Sequence, residues 1–237
     1  MRGKLIVIEG TDCSGKETQA RLLEERLGKL NIKAKRVSFP NYDTPTGKII
    51  GSCYLGKEDL CKDLLKDEKG WFKEGASEVD GLVSSLYYAA DRKYNMEEVD
   101  NLLASGIHVI MDRYTFSNMA HQGGKITTQE KRFQFFKKME VLEFDLLELP
   151  KPDLVVLLYV PYQVTLQLQE LREIAVDQNE GDVKHLKRAE QTYLELKALY
   201  KFKMIECVKD KNLRPVLSIH EELLGIVLQL LETDRDN

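Results

Sequence analysis

Hydrophobic positions along the chain follow two periods. Residues 4–8, 34–38, 107–111, 154–159 and 215–218 form five short strand-like runs, several apolar without alternation, as in strands covered on both faces. A helical pattern carrying Leu23, Leu27 and Leu30 follows the first run. Others join Leu82, Leu86 and Ala90, then Ala189, Tyr193, Leu196 and Tyr200, then Leu223, Leu224, Val227 and Leu228. Strands alternating with helices predict an α/β fold, a five-stranded parallel sheet with helices on both faces. No repeat or low-complexity tract interrupts it, and Pro150 and Pro152 bracket the start of a strand. Residues 1–237 are therefore expected as a single domain. Residues 56–80 break the pattern. They are rich in Lys, Asp, Glu and Gly around Trp71 and Phe72, and predict an exposed excursion docked on the body or on a partner chain.

The first apolar run breaks into Gly10, Thr11, Asp12, Cys13, Ser14, Gly15, Lys16, Glu17 and Thr18. Strand, glycine loop and helix in that order are what a phosphate-binding loop requires. Glycines let successive N–H groups converge on one anion, the helix N-terminus adds partial positive charge, and Lys16 adds a full one. This predicts the P-loop NTPase version of the α/β fold. The strict pattern places Ser or Thr directly after the lysine; here Glu17 stands there and Thr18 follows. An ordinary strand-turn-helix with a surface lysine is the plainer alternative.

In such sheets ligands sit at the C-terminal ends of the strands. The second run ends in Phe39, Pro40, Asn41 and Tyr42, and the third in Asp112, Arg113 and Tyr114. A carboxylate at 112 suits magnesium near the phosphates, and a guanidinium at 113 suits a phosphate. A structural Asp–Arg pair closing the strand is the alternative. Tyr88 and Arg92 share a helix face. They suit stacking on a base and forking onto its edge, or equally a core tyrosine beside a surface arginine.

Bulk composition narrows the function classes. The chain has 237 residues, 43% hydrophobic, and a formal charge of −4, which argues against a broad nucleic-acid footprint. The basic runs Lys131-Arg132 and Lys137-Lys138 read as solvated helix faces. The cysteines at 13, 53, 61 and 207 form no C-x-x-C pair and no zinc spacing, so free thiols in a reducing compartment are expected. The start, Met1-Arg2-Gly3-Lys4, enters a strand directly, and the longest apolar stretch, 154–160, is too short to cross a bilayer. A soluble, cytoplasmic protein away from membranes is expected.

Together these motifs resemble the thymidylate kinase family, nucleoside monophosphate kinases that phosphorylate dTMP. The resemblance covers nearly the whole chain. It rests on the 10–18 loop with Gln19; Phe39-Pro40 with Thr44 and Gly47; Ala90-Asp91-Arg92; Asp112-Arg113-Tyr114 with Ser117 and Asn118; and Leu149-Pro150-Lys151-Pro152-Asp153-Leu154. It implies ATP and Mg2+, and typically a homodimer, for which the helix around Leu82–Ala90 is a candidate if it is not core. By the same resemblance Tyr88 stacks on thymine, Arg92 reaches the base carbonyl and Arg113 contacts the monophosphate. Phe39, Pro40 and Tyr42 belong to the acceptor side. Ser117, Asn118, His121 and Gln122 line the base and deoxyribose pocket, with His121 replacing a Tyr or Phe. Asp12 is a loop carboxylate near sugar or metal, and a lid over 172–182 carries Arg172.

The mechanism implied is positioning and charge stabilisation. Lys16 and the loop amides hold the terminal phosphates of ATP. Arg113 and Asp12 act beside them, and Glu17, Asp112 and Asp12 are the candidate magnesium ligands. The acceptor phosphate is largely ionised, with a second pKa of about 6, so no general base is needed. Two rivals stand beside this expectation: a kinase for another nucleoside monophosphate, and a nucleotide-binding regulator inactivated by Glu17.

Overall fold

The computed structural model describes residues 1–11, 13–57, 70–170 and 183–233. Strand β1 (Leu5–Gly10) is central in a five-stranded sheet with β2 (Ala34–Ser38), β3 (His108–Asp112), β4 (Leu154–Tyr159) and β5 (Lys203–Glu206). The order is β2-β3-β1-β4-β5, and every pairing is parallel. The helices are α1 (Lys16–Lys29), α2 (Pro45–Lys48), α3 (Gly81–Tyr94), α4 (Met96–Ala104), α5 (Thr115–Gly123), α6 (Gln129–Glu140), α7 (Tyr162–Glu170), α8 (Val183–Tyr200) and α9 (Val216–Thr233). Single π-helical stretches, Ile49–Tyr54 and Val141–Leu146, continue α2 and α6.

The absence of alternation in β1 has a direct cause: all six residues are buried, three to each face. Ile6 and Ile8 join Leu23 and Leu27 of α1 and Leu223 and Val227 of α9. Leu5 and Val7 join Val99 and Leu103 of α4. A further cluster joins Leu157 of β4 to Phe116, Phe136, Tyr193 and Leu196. The register sets Ile8 of β1 and Ser38 of β2 level with Asp112 of β3, so three strands end on one edge.

Three expectations need correction. Residues 215–218 are not the fifth strand. Pro215 precedes α9, and its carbonyl accepts from the amides of Ser218 and Ile219, the role proline suits at a helix start. The fifth strand is β5, at the sheet edge. Its exposed Lys203 and Glu206 hide the strand signal, as charges on edge strands do. A small antiparallel ribbon, β6 (Val208–Lys209) with β7 (Asn212–Leu213), fills the gap before α9. Arg132 does not belong to a solvated face: it is buried and donates to both oxygens of Glu195, at 2.9 and 2.6 Å. The 56–80 segment is not wholly exposed either. Residues 58–69 lie outside the described part, but Ala76 and Val79 are buried with Ile50, Tyr54 and Leu55. Phe72 sets its ring edge on Tyr54 at 5.7 Å, docking on the body, while Trp71 is exposed.

The relocated strand makes a contrast that stability can test. Ile205 in β5 is fully buried, whereas Leu217, in the run read as a strand, is 67% exposed. Ile205→Ala should lower unfolding stability by about 2–4 kcal/mol. Leu217→Ala should stay within about 0.5 kcal/mol. Urea midpoints at unchanged m-value check both.

Candidate active site

The loop leaving β1 is shaped by two glycines. A Cβ on Gly10 would stand 2.5 Å from the Leu158 carbonyl oxygen and 2.6 Å from Ser14 Oγ, so a larger residue does not fit. Gly15, at φ +79°, turns the chain into α1. The Thr11 hydroxyl donates to the Val160 carbonyl at 2.9 Å, tying the loop to the end of β4. Lys16 is buried, and its ammonium donates to the carbonyls of Gly10 at 3.0 Å and Thr11 at 2.7 Å, with Ser14 Oγ at 3.3 Å. The charge expected at the phosphates is therefore held inside the loop. Cys13 sits in the loop at φ +59°. Glu17 and Thr18 point outward: the Glu17 side chain is 84% exposed and lies 4.0 Å from Arg36. Its negative field still reaches Asp112. No group of three His, Cys, Asp or Glu side chains among the described residues forms a ready metal cage.

Asp112 and Arg113 join this loop to a cavity. Burial pushes the Asp112 carboxyl above the usual range, and the positive charges of Lys16 and Arg113 pull it back. Arg113 sits at φ +67°, a conformation that is strained for a residue with a side chain, with its N–H donating to the Ile8 carbonyl. Its guanidinium lines the cavity. So do Phe39, Pro40 and Tyr42 from the loop after β2, and Tyr88 and Arg92 from α3. Helix α5 supplies Ser117, Asn118, His121 and Gln122. All ten residues assigned to the acceptor side thus share one cavity, which Leu55, Lys57 and Tyr114 complete. Asp12, and Arg172 in the 172–182 lid, lie outside the described residues.

Each contributing element is anchored by a buried carboxylate. Asp91 accepts from the Asn41 amide at 2.9 Å, the Thr46 hydroxyl at 2.7 Å and Asn95 at 3.1 Å, holding the 41–46 loop on α3. Glu9, fully buried at the end of β1, accepts from the amides of Tyr114 and Ser117 at 2.9 and 3.0 Å. It also accepts from the hydroxyls of Ser117 and Tyr193. It fills the place of the side-chain cap that α5 otherwise lacks. Burial raises the Glu9 carboxyl pKa, against the pull of Ser117 and Arg113.

At the far end, Arg92 is not the surface arginine its spacing allows but is 2% exposed. Its Nε and Nη2 donate to Glu143 at 2.6 and 2.5 Å. Beside Arg113, His121 Nε2 lies 3.4 Å from Nη1, and His121 Nδ1 lies 3.0 Å from His185 Nε2 with the two rings stacked.

Sequence reasoning named Glu9 only as a strand-end polar residue and Asp91 only within the Ala90-Asp91-Arg92 motif, giving neither a role, and missed Glu143. Glu9 carries a usable signal, since an acid ending a fully apolar strand needs donors when buried. Glu143 carries none, because a glutamate in a helical stretch is ordinarily solvated.

Comparison with known proteins follows the same lines. A thymidylate kinase family model matches residues 69–218. The chain is 31% identical over 212 residues to a probable thymidylate kinase of Saccharolobus solfataricus, covering 88% of this chain and 91% of that one. It is 34% identical over 125 residues to the thymidylate kinase of Plasmodium falciparum, spanning 53% of this chain and half (50%) of that protein. It is 32% identical over 157 residues to the human thymidylate kinase, spanning 66% and 61%. A thymidylate kinase structure from Candida albicans superposes with a TM-score of 0.64 at 25% identity, covering 99% of this chain and 93% of that one. The chain belongs to the thymidylate kinase family.

Proposed function

We propose that this chain moves the terminal phosphate of ATP to dTMP, giving dTDP, with the donor on the 10–18 loop and the acceptor in the cavity beside it. The observation that carries the reading is the Asp112–Arg113 step. Asp112 lies within the electrostatic reach of Lys16, and the next residue, Arg113, lines the cavity. Donor and acceptor sites therefore meet across one peptide unit.

The division of labour follows from the chemistry of each group. Lys16 and the loop N–H groups bind the terminal phosphates. The Arg113 fork grips the acceptor phosphate and holds its oxygen in line. The Tyr88 ring offers its π-surface to the base and is packed perpendicular to the Tyr54 ring, with centroids 5.8 Å apart. Magnesium needs only one or two protein carboxylates beside phosphate oxygens. Asp112 fits, because a cation relieves the burial that raises its pKa, and Glu17 lies within its electrostatic reach. When bound, the ion neutralises phosphate charge.

The protein acts as a homodimer through α3. Leu82, Val83, Leu86 and Tyr87 form one face of that helix and are 47%, 41%, 50% and 37% exposed. A cytoplasmic setting is supported by free thiols at Cys53 and Cys207.

Four outcomes test this. Arg113→Ala and Arg113→Gly should each lower kcat/KM for dTMP about 100-fold or more in a coupled ADP assay. Arg113→Gly should be the more stable of the two by about 1 kcal/mol, since glycine accepts the positive φ. Glu17→Ser should shift the magnesium concentration giving half-maximal rate; an unchanged titration and turnover would remove Glu17 from the metal site. Leu86→Glu should convert the dimer to a folded monomer by light scattering.

A further inference from the structure

We propose that Glu143 is a positioning residue that sets base selectivity, by fixing the hydrogen-bonding face that Arg92 and Asn118 present to the acceptor. The inference rests on the acceptor reading above. Glu143 is fully buried in the π-helical stretch after α6 and contacts both side chains at once. Its two oxygens accept from Nε and Nη2 of Arg92, and Oε1 also accepts from Asn118 Nδ2 at 3.1 Å.

The amide orientation of Asn118 follows from chemistry. Its Nδ2 faces the Ser85 carbonyl at 3.3 Å and the Glu143 carboxylate, two groups that only accept. The nitrogen must therefore lie on that side. The other amide atom, Oδ1, is buried without a hydrogen-bond partner among the described residues, on a side chain that is 3% exposed and lines the cavity. A buried acceptor left unmatched is costly unless a ligand supplies a donor. Arg92 spends two of its nitrogens on Glu143, and among the described residues Nη1 has no such partner.

Both side chains line the cavity, and each leaves one polar atom without a partner among the described residues: an acceptor at Asn118 Oδ1 and a donor at Arg92 Nη1. A ring edge with an N–H next to a carbonyl, the N3–H and C4=O of thymine or uracil, matches that pair. Cytosine presents the reverse, an acceptor at N3 and an amino group at C4, and leaves both protein groups opposed. Glu143 enforces the choice together with the Ser85 carbonyl, because neither can donate and so neither lets the Asn118 amide turn over. A glutamine in its place leaves the Ser85 carbonyl as the one acceptor-only group holding the amide, and its own NH2 can donate to Oδ1, so the preference for one orientation weakens.

Kinetics of Glu143→Gln with dTMP, dCMP and N3-methyl-dTMP test this. Glu195→Gln serves as a control, because it loosens the other buried Arg–Glu pair, at Arg132, away from the cavity. The wild type should favour dTMP over both analogues. Glu143→Gln should reduce each preference at least tenfold, chiefly through KM, while Glu195→Gln lowers only the melting temperature. Glu143→Asp keeps the buried charge and is read if the glutamine variant does not fold; withdrawing the carboxylate should give a smaller loss in the same direction. Selectivity unchanged within twofold in a folded Glu143 variant overturns the proposal. A wild type that turns over none of the three would instead sink the acceptor reading itself.

Discussion

One carboxylate, Glu9, holds the two halves of the site in a fixed relation. It ends the central strand, has no solvent contact, and accepts from two amides and two hydroxyls. Removing a carboxylate from water costs several kcal/mol unless donors replace the water. Here the donors come from the first turn of α5 and from α8, so satisfying Glu9 dictates where both helices start and lie. The positive N-terminal end of α5 adds to the attraction. The strand that carries Glu9 continues into the 10–18 loop, while α5 carries Ser117, Asn118, His121 and Gln122 into the cavity. The placement of the 10–18 loop relative to the cavity is thus set by a group that is not among the cavity's lining residues.

The same economy of buried charge recurs at the base end. A buried ion pair is weak grounds for stability, because desolvation offsets much of the Coulomb attraction. Apolar residues would fill the space between α3 and the stretch after α6 at least as well. What Arg92 and Glu143 supply that apolar residues cannot is direction: two guanidinium nitrogens and both carboxylate oxygens have fixed partners, on a side chain that lines the cavity. The pair at Arg132 and Glu195 has similar geometry but lines no part of that cavity, so its part is confined to joining α6 to α8.

Much of this was legible in the residues. The unalternating run in β1 and the glycine loop after it are local signals whose physics needs no neighbours, and they were enough for the fold class and for a proposed phosphate site. The acceptor residues were reached through family resemblance, since a tyrosine and an arginine four apart look like any helix face. The failures share one cause: burial decided at a distance. Arg132 reads as a solvated charge until Glu195, far along the chain, is brought beside it. The fifth strand was sought in an apolar run that is helical, because the real one lies at an edge and wears charges. Glu143 offered no signal, for its meaning depends on Arg92 and Asn118 arriving from two other helices.

Glu17 is where motif and physics part, and magnitude decides between them. Read as a motif, a glutamate in place of a hydroxyl beside the phosphate lysine suggests a disabled site. Two unit charges 4 Å apart interact by about 1 kcal/mol in bulk water and about 4 kcal/mol at the effective dielectric near a protein surface. The Glu17 carboxylate is 84% exposed and sits near Arg36, so water, salt and an opposite charge all screen it. Lys16 and Asp112 are buried, where the same charges act with less screening. An outward carboxylate therefore cannot cancel an inward ammonium held by the loop's own carbonyls. The physical ground for an inactive regulator falls away, and what Glu17 retains is an oxygen donor at the rim of the phosphate site.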